Sequence, residues 1–182
     1  RSKIWPSVSV KTRLVIDSDI SSSWISKLAE TEIDLITLHG RTLKQGYGGK
    51  ANWKAIQKAG KMAKEINPKL IFWGNGDIKN RLVAKKYIKK YGIDGILIGR
   101  ASVGNPWIFE ENKRNIDIKE KYKAMMLQAQ IFIDVFPKRG LEHLRSKLLA
   151  YTKNFWKAKQ IRKKLVGVAN IADLEKLEGD FC

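Results

Sequence analysis

Two glycine-containing segments and a few cations carry the chemistry open to this sequence. Gly74-Asn75-Gly76-Asp77-Ile78 follows an apolar run and precedes a helical stretch, so its backbone N–H groups can turn toward a phosphate. Gly99-Arg100 closes the next apolar run and leads into Ala101-Ser102-Val103-Gly104-Asn105-Pro106-Trp107. A glycine loop and an arginine at successive strand ends match the phosphate site commonly built after strands seven and eight of a (β/α)8 barrel. Two earlier strand ends, Val10-Lys11-Thr12-Arg13 and His39-Gly40-Arg41-Thr42, add cations and an imidazole. Together the four ends make an anion-binding rim. Lys11 stands in an alternating strand, where burying its ammonium is costly unless it meets an anionic or electron-rich ligand. His39, as a neutral imidazole, can hydrogen-bond a phosphate or ring oxygen. No Cys or carboxylate cluster has metal-ligand spacing, and no Ser-His-Asp order stands out.

These residues need elements that bring strand ends together. Residues 8–14, 34–39, 70–73 and 95–98 are short, β-rich apolar runs, and residues 24–29, 53–66 and 81–91 between them have helical periodicity. Alternating strands and helices predict βαβ units and a parallel sheet, with ligands at the C-terminal strand ends. After Phe109 the strand signal stops. Residues 118–136 place Tyr122, Met125, Met126, Ala129, Phe132 and Ile133 at helical spacing, and Pro137 and Gly140 end that pattern. Helices are predicted again over 141–156 and 158–168. Asn170 caps a last one over 171–177. The organisation read from this pattern is a β/α part over 1–109 and an all-helical part over 110–182.

Composition points to the partner. The 182 residues carry 36 Lys and Arg against 18 Asp and Glu, a formal charge of +18, and such a field attracts polyanions. Later helices concentrate Lys138, Arg139, Arg145, Lys147, Lys153, Lys157, Lys159, Arg162, Lys163 and Lys164, interleaved with Tyr151, Phe155 and Trp156. Most of these aromatics are expected in the core and part of the lysine face on RNA. His143 is read as structural or surface. No apolar run approaches the roughly 20 residues of a membrane span. One cysteine, Cys182, rules out an internal disulfide, and with no signal peptide at Arg1–Pro6 the expected compartment is the cytoplasm.

At this point a family resemblance is legible. Val8-Ser9-Val10-Lys11-Thr12-Arg13, Thr37-Leu38-His39-Gly40-Arg41-Thr42, Lys44-Gln45-Gly46-Tyr47-Gly48-Gly49-Lys50-Ala51-Asn52-Trp53, Gly74-Asn75-Gly76-Asp77-Ile78 and Ile98-Gly99-Arg100-Ala101 with Gly104-Asn105-Pro106-Trp107-Ile108-Phe109 resemble, in order and spacing, the signature segments of the tRNA-dihydrouridine synthases. The tail resembles that family's RNA-binding domain most clearly at Leu144-Arg145, Tyr151-Thr152-Lys153 and Ile161-Arg162, although Lys147 and Ala150 stand where histidine and tryptophan are expected. The resemblance implies an FMN enzyme that uses NADPH to reduce a tRNA uridine to 5,6-dihydrouridine. It places Lys11 and His39 at the flavin, and Asn75, Gly76, Asp77, Gly99 and Arg100 at the FMN phosphate and ribityl chain. Arg41, Arg145, Lys147, Lys153 and Arg162 fall to the RNA.

One departure from the family pattern matters most. The family's general acid is a cysteine on a loop after an earlier strand; Cys182 is terminal and has no matching motif around it. The four strands are expected to be the last four β/α units of a (β/α)8 barrel, which takes roughly 250 residues when complete. The expectation is thus the second half of an FMN-binding TIM barrel over 1–109 followed by a helical tRNA-binding domain over 110–182. No catalytic residue and no metal are expected in it. A half barrel leaves sheet edges unpaired, so inactivity alone is expected, with an N-terminal half-barrel polypeptide or self-association to complete it. The other readings are a non-catalytic RNA-binding module and a different FMN-dependent TIM-barrel oxidoreductase.

Overall fold

All four apolar runs become strands in the computed structural model, which describes residues 7–15, 18–111 and 115–181 (backbone only for 18–22). The opening segment 1–6 and Cys182 lie outside the described residues. Strands β1 (Ser9–Leu14), β2 (Leu35–Thr42), β3 (Ile71–Asn75) and β4 (Gly95–Leu97) form one sheet in the order β1-β2-β3-β4. Every pairing is parallel. Parallel neighbours cannot be joined by a tight turn, and helices α1 (Ser18–Ala29), α2 (Trp53–Ile66) and α3 (Arg81–Tyr91) supply the crossovers. Asn52 and Asn80 start α2 and α3 by accepting from the backbone N–H groups of Ala55 and Val83, the standard remedy for unpaired donors at a helix start.

The helices cover one sheet face. Ile36, Leu38 and Phe72 point into a core with Ile25 and Ala29 of α1, Ile56 and Ala63 of α2, and Ala84 of α3. Burying each large member contributes about 1.5–3 kcal/mol. Strand β2 runs to Thr42 rather than ending at His39. The extension follows from a register shift in β1, where Leu14 pairs with Thr42, and from the burial of Arg41.

The chain divides into two compact units, Arg1–Gly99 and Arg100–Cys182. In the second, α4 (Ile118–Val135), α5 (Arg145–Leu148), α6 (Ala158–Val166) and α7 (Ile171–Glu175) enclose Met125, Ala129, Leu141, Leu148, Ile161, Leu165, Leu174 and Phe181. The continuous helix expected over 141–156 is broken. Tight 3-10 turns at Leu141–His143 and Leu149–Thr152 flank the short α5, and Asn154 adopts a left-handed φ of 61° that ends helical geometry. Leu141, Leu144, Leu148 and Tyr151 are all buried, and spacings of three and four serve either helix type, so periodicity alone could not separate them. Asn170 caps α7 as expected, accepting from Asp173 N–H at 3.0 Å. Among the described residues, no helix is long and apolar enough to cross a membrane.

Candidate functional site

Side chains alternate across a strand, so the face opposite the helices carries the odd-numbered strand residues. Register sets Arg13, His39, Asn75 and Leu97 in one row across all four strands. Lys11, Thr37, Trp73 and Gly95 form the next row toward the strand starts. The sheet therefore brings Lys11, His39 and Asn75 onto one face, with Arg13 beside them. Lys11 is exposed and Asn75 half-buried, its Nδ2 donating to the Leu97 carbonyl at 2.8 Å.

His39 is 6% exposed. Its pKa is lowered from 6.5 to about 4, first by burial and then by the charges of Arg13, Lys11 and Arg41, against an opposing pull from Asp77. The imidazole is neutral at pH 7, able to donate from one nitrogen and accept at the other. The three cations that drive off its proton are the same ones that would draw in an anion.

Arg41 and Asp77 take roles that the sequence reading did not assign. Arg41, expected at the RNA, is 2% exposed. Its Nη2 lies 2.9 Å from both Asp77 carboxylate oxygens and donates to the Gly49 carbonyl at 2.5 Å, while Nε donates to the Gly48 carbonyl at 3.0 Å. Asp77 also accepts from Ala51 N–H at 2.8 Å. The Asp77 carboxylate neutralises Arg41. Arg41 Nη1 is buried and has no hydrogen-bond partner among the described residues. Arg13, noted in sequence only as a strand-end cation, donates to the carbonyls of Thr42 and Gly46 at 3.4 and 3.2 Å. Its position two residues after Lys11 was the available signal, since that spacing shares a face.

The β3 exit is built on glycine. Gly76 has φ 129°, and a Cβ there would stand 2.6 Å from the Ala51 Cβ and 3.2 Å from His39 Cδ2. Only glycine fits that conformation and that approach. The Gly76 carbonyl accepts from Trp53 Nε1 at 3.1 Å, anchoring the turn to α2. Gly99 and Arg100 are exposed and lie where the two units join in sequence.

In the second unit the positions assigned to RNA differ in kind. Lys147 and Lys153 are exposed. Arg162 is also exposed but is steered by its Nε, which donates to Thr152 Oγ1 at 2.8 Å. Arg145 is half-buried, with a buried Nε that lacks a hydrogen-bond partner among the described residues. Tyr151 is buried and Phe155 packs against the core, as expected, whereas Trp156 is 81% exposed.

Comparison with known proteins agrees with the sequence pattern. The family model described as dihydrouridine synthase (Dus) matches residues 1–179. A probable tRNA-dihydrouridine synthase of Staphylococcus epidermidis is 33% identical over 177 residues, covering 96% of this chain and 54% of that protein. Probable tRNA-dihydrouridine synthases of Staphylococcus aureus (strain MRSA252) and Aquifex aeolicus are 32% and 28% identical, covering 96% and 93% of this chain and 54% of each relative. The chain spans about half the length of the curated relatives it matches. The chain belongs to the dihydrouridine synthase family.

Proposed function

We propose that this chain contributes the FMN-binding sheet face and the RNA-binding helices of an enzyme that reduces uridine to 5,6-dihydrouridine in tRNA with NADPH, working in the cytoplasm. The observation that carries the cofactor reading is the shared sheet face of Lys11, Arg13 and the neutral His39, beside the glycine turn at Gly76. Lys11, His39, Asn75 and Gly76 would hold FMN. Gly99 and Arg100 join that set on the sequence pattern alone. FMN, when bound, supplies hydride transfer. Lys11 would hold negative charge on the ring. His39, kept neutral, would donate or accept a hydrogen bond without adding charge. Arg41 and Asp77 position the loop over 43–50 beside the site. Lys147, Lys153, Arg145 and Arg162 would meet tRNA phosphates.

Four consecutive parallel strands joined by three crossover helices, with a polar, cationic open face, support a barrel read as its last four units, followed by a helical RNA-binding domain. In that reading an N-terminal half-barrel polypeptide or a second copy covers the open face. A direct test fuses the part of the Staphylococcus epidermidis relative that this chain does not match to this chain. Both forms are then expressed in a host without dihydrouridine, and its tRNA is analysed by mass spectrometry. Dihydrouridine is expected with the fusion and not with the chain alone. A fusion that binds FMN yet leaves every uridine unreduced would contradict the proposal.

A further inference from the structure

Segment 153–157 of the second unit has two features that the cofactor reading does not use. Asn154 takes a left-handed turn, and the next residue, Phe155, forms one wall of an open cavity of about 380 Å³. Ile116 and Ile118 supply further apolar wall, with Asp117, Asn154 and Lys121 at polar positions. Trp156 then stands 81% exposed, its ring centroid 6.0 Å from that of Phe155 and tilted by 58°. Lys157 Nζ lies 4.6 Å from the Trp156 ring centroid. Lys121 Nζ donates to the Lys153 carbonyl at 3.2 Å, which brings another cation to the same segment.

Trp156 offers a large ring with a polar N–H, the kind of side chain enriched at interfaces. Here the surrounding charge points to the partner: Lys121, Lys153 and Lys157 at this segment suit a polyanion, and a polyanion with planar rings is a nucleic acid. Bases inside a duplex keep their faces stacked, so only unpaired bases can use such a ring. The cavity falls in the size range of small-ligand pockets, and its lining mixes apolar side chains that could meet a ring with polar ones that could meet base edges. Asp117 can accept a hydrogen bond from a base amino group.

We propose that this cavity seats one unpaired nucleotide of an RNA strand and that Trp156 stacks the base next to it. The inference rests on the RNA-binding reading above. The test measures binding of a fluorescein-labelled 12-nucleotide single-stranded RNA and of a duplex RNA of equal length. The proteins are the wild-type chain, Trp156→Ala, Trp156→Phe and Ile116→Trp, the last filling the cavity. Thermal melts establish that each variant folds. Trp156→Ala and Ile116→Trp are expected to lose about 5- to 150-fold in single-strand affinity, with duplex binding unchanged and Trp156→Phe close to wild type. Unchanged single-strand affinity in either weakened variant overturns the proposal and leaves the RNA reading standing, as does an equal loss on duplex. A wild-type chain that binds neither RNA overturns both.

Discussion

His39 shows how one residue reports on the electrostatics of the whole sheet face. In the unfolded chain its imidazole takes up a proton near pH 6.5, but in the fold it holds out to about pH 4. Between those values the unfolded state binds the extra proton, so stability falls as pH drops through this window and the loss levels off below about pH 4. The size of the effect is on the order of 2–3 kcal/mol. Carboxylates titrate in the same range, so the comparison must be with His39→Gln. Urea unfolding at pH 7 and pH 4.5 is expected to show a loss for wild type larger by about 2 kcal/mol than for the variant. Equal losses would mean that the imidazole is not held neutral. Sequence could name His39 and Lys11 because both lie in apolar runs that read as strands; their common face depends on the β1–β2 register. It could not show that Arg41 is buried, since a charged residue just past an apparent strand end normally reads as solvated.

Among the elements, the loop between β2 and α2 depends most on that buried arginine. Arg41 grips the carbonyls of Gly48 and Gly49, and Arg13 those of Thr42 and Gly46, so two cations hold a segment that also exposes Leu43 and Tyr47. Arg41→Met would keep much of the apolar stem while releasing the loop and leaving Asp77 without its partner. Because the Asp77 carboxylate left behind is partly exposed, the loss is about 1–3 kcal/mol, below that of a fully buried pair. Limited trypsin digestion is expected to cut the variant at Lys44 or Lys50 before the wild type. Identical cleavage rates would show that the loop is held by other contacts. Strands and crossover helices were legible because short apolar, β-rich runs alternate with stretches of helical period. The broken stretch at 141–156 was not, because its turns depend on tertiary packing around Leu141 and Tyr151 that leaves no mark on spacing.

At the scale of the molecule, two chemistries are proposed for the two units: flavin binding on the open sheet face, and RNA binding on the helices. Charge was the legible part, since +18 among 182 residues already pointed to a polyanion. Which lysines serve it was not, because a solvated face and a binding face have the same composition. Single-stranded RNA affinity is expected to fall steeply with salt, and replacing Lys147, Lys153 and Arg162 by Gln should make the slope shallower by about 0.7 per lost phosphate contact. An unchanged slope would move the contact elsewhere. Flavin binding by this chain tests the proposed role of the open sheet face most directly. Quenching of FMN and riboflavin fluorescence should be followed on titration with wild type and with Lys11→Met. Weak but saturable FMN binding is expected, half-complete between about 10 µM and 1 mM, roughly tenfold tighter than riboflavin because the phosphate adds a charge-assisted contact, and weakened by Lys11→Met. No saturation with FMN, or equal affinity for riboflavin, would contradict it.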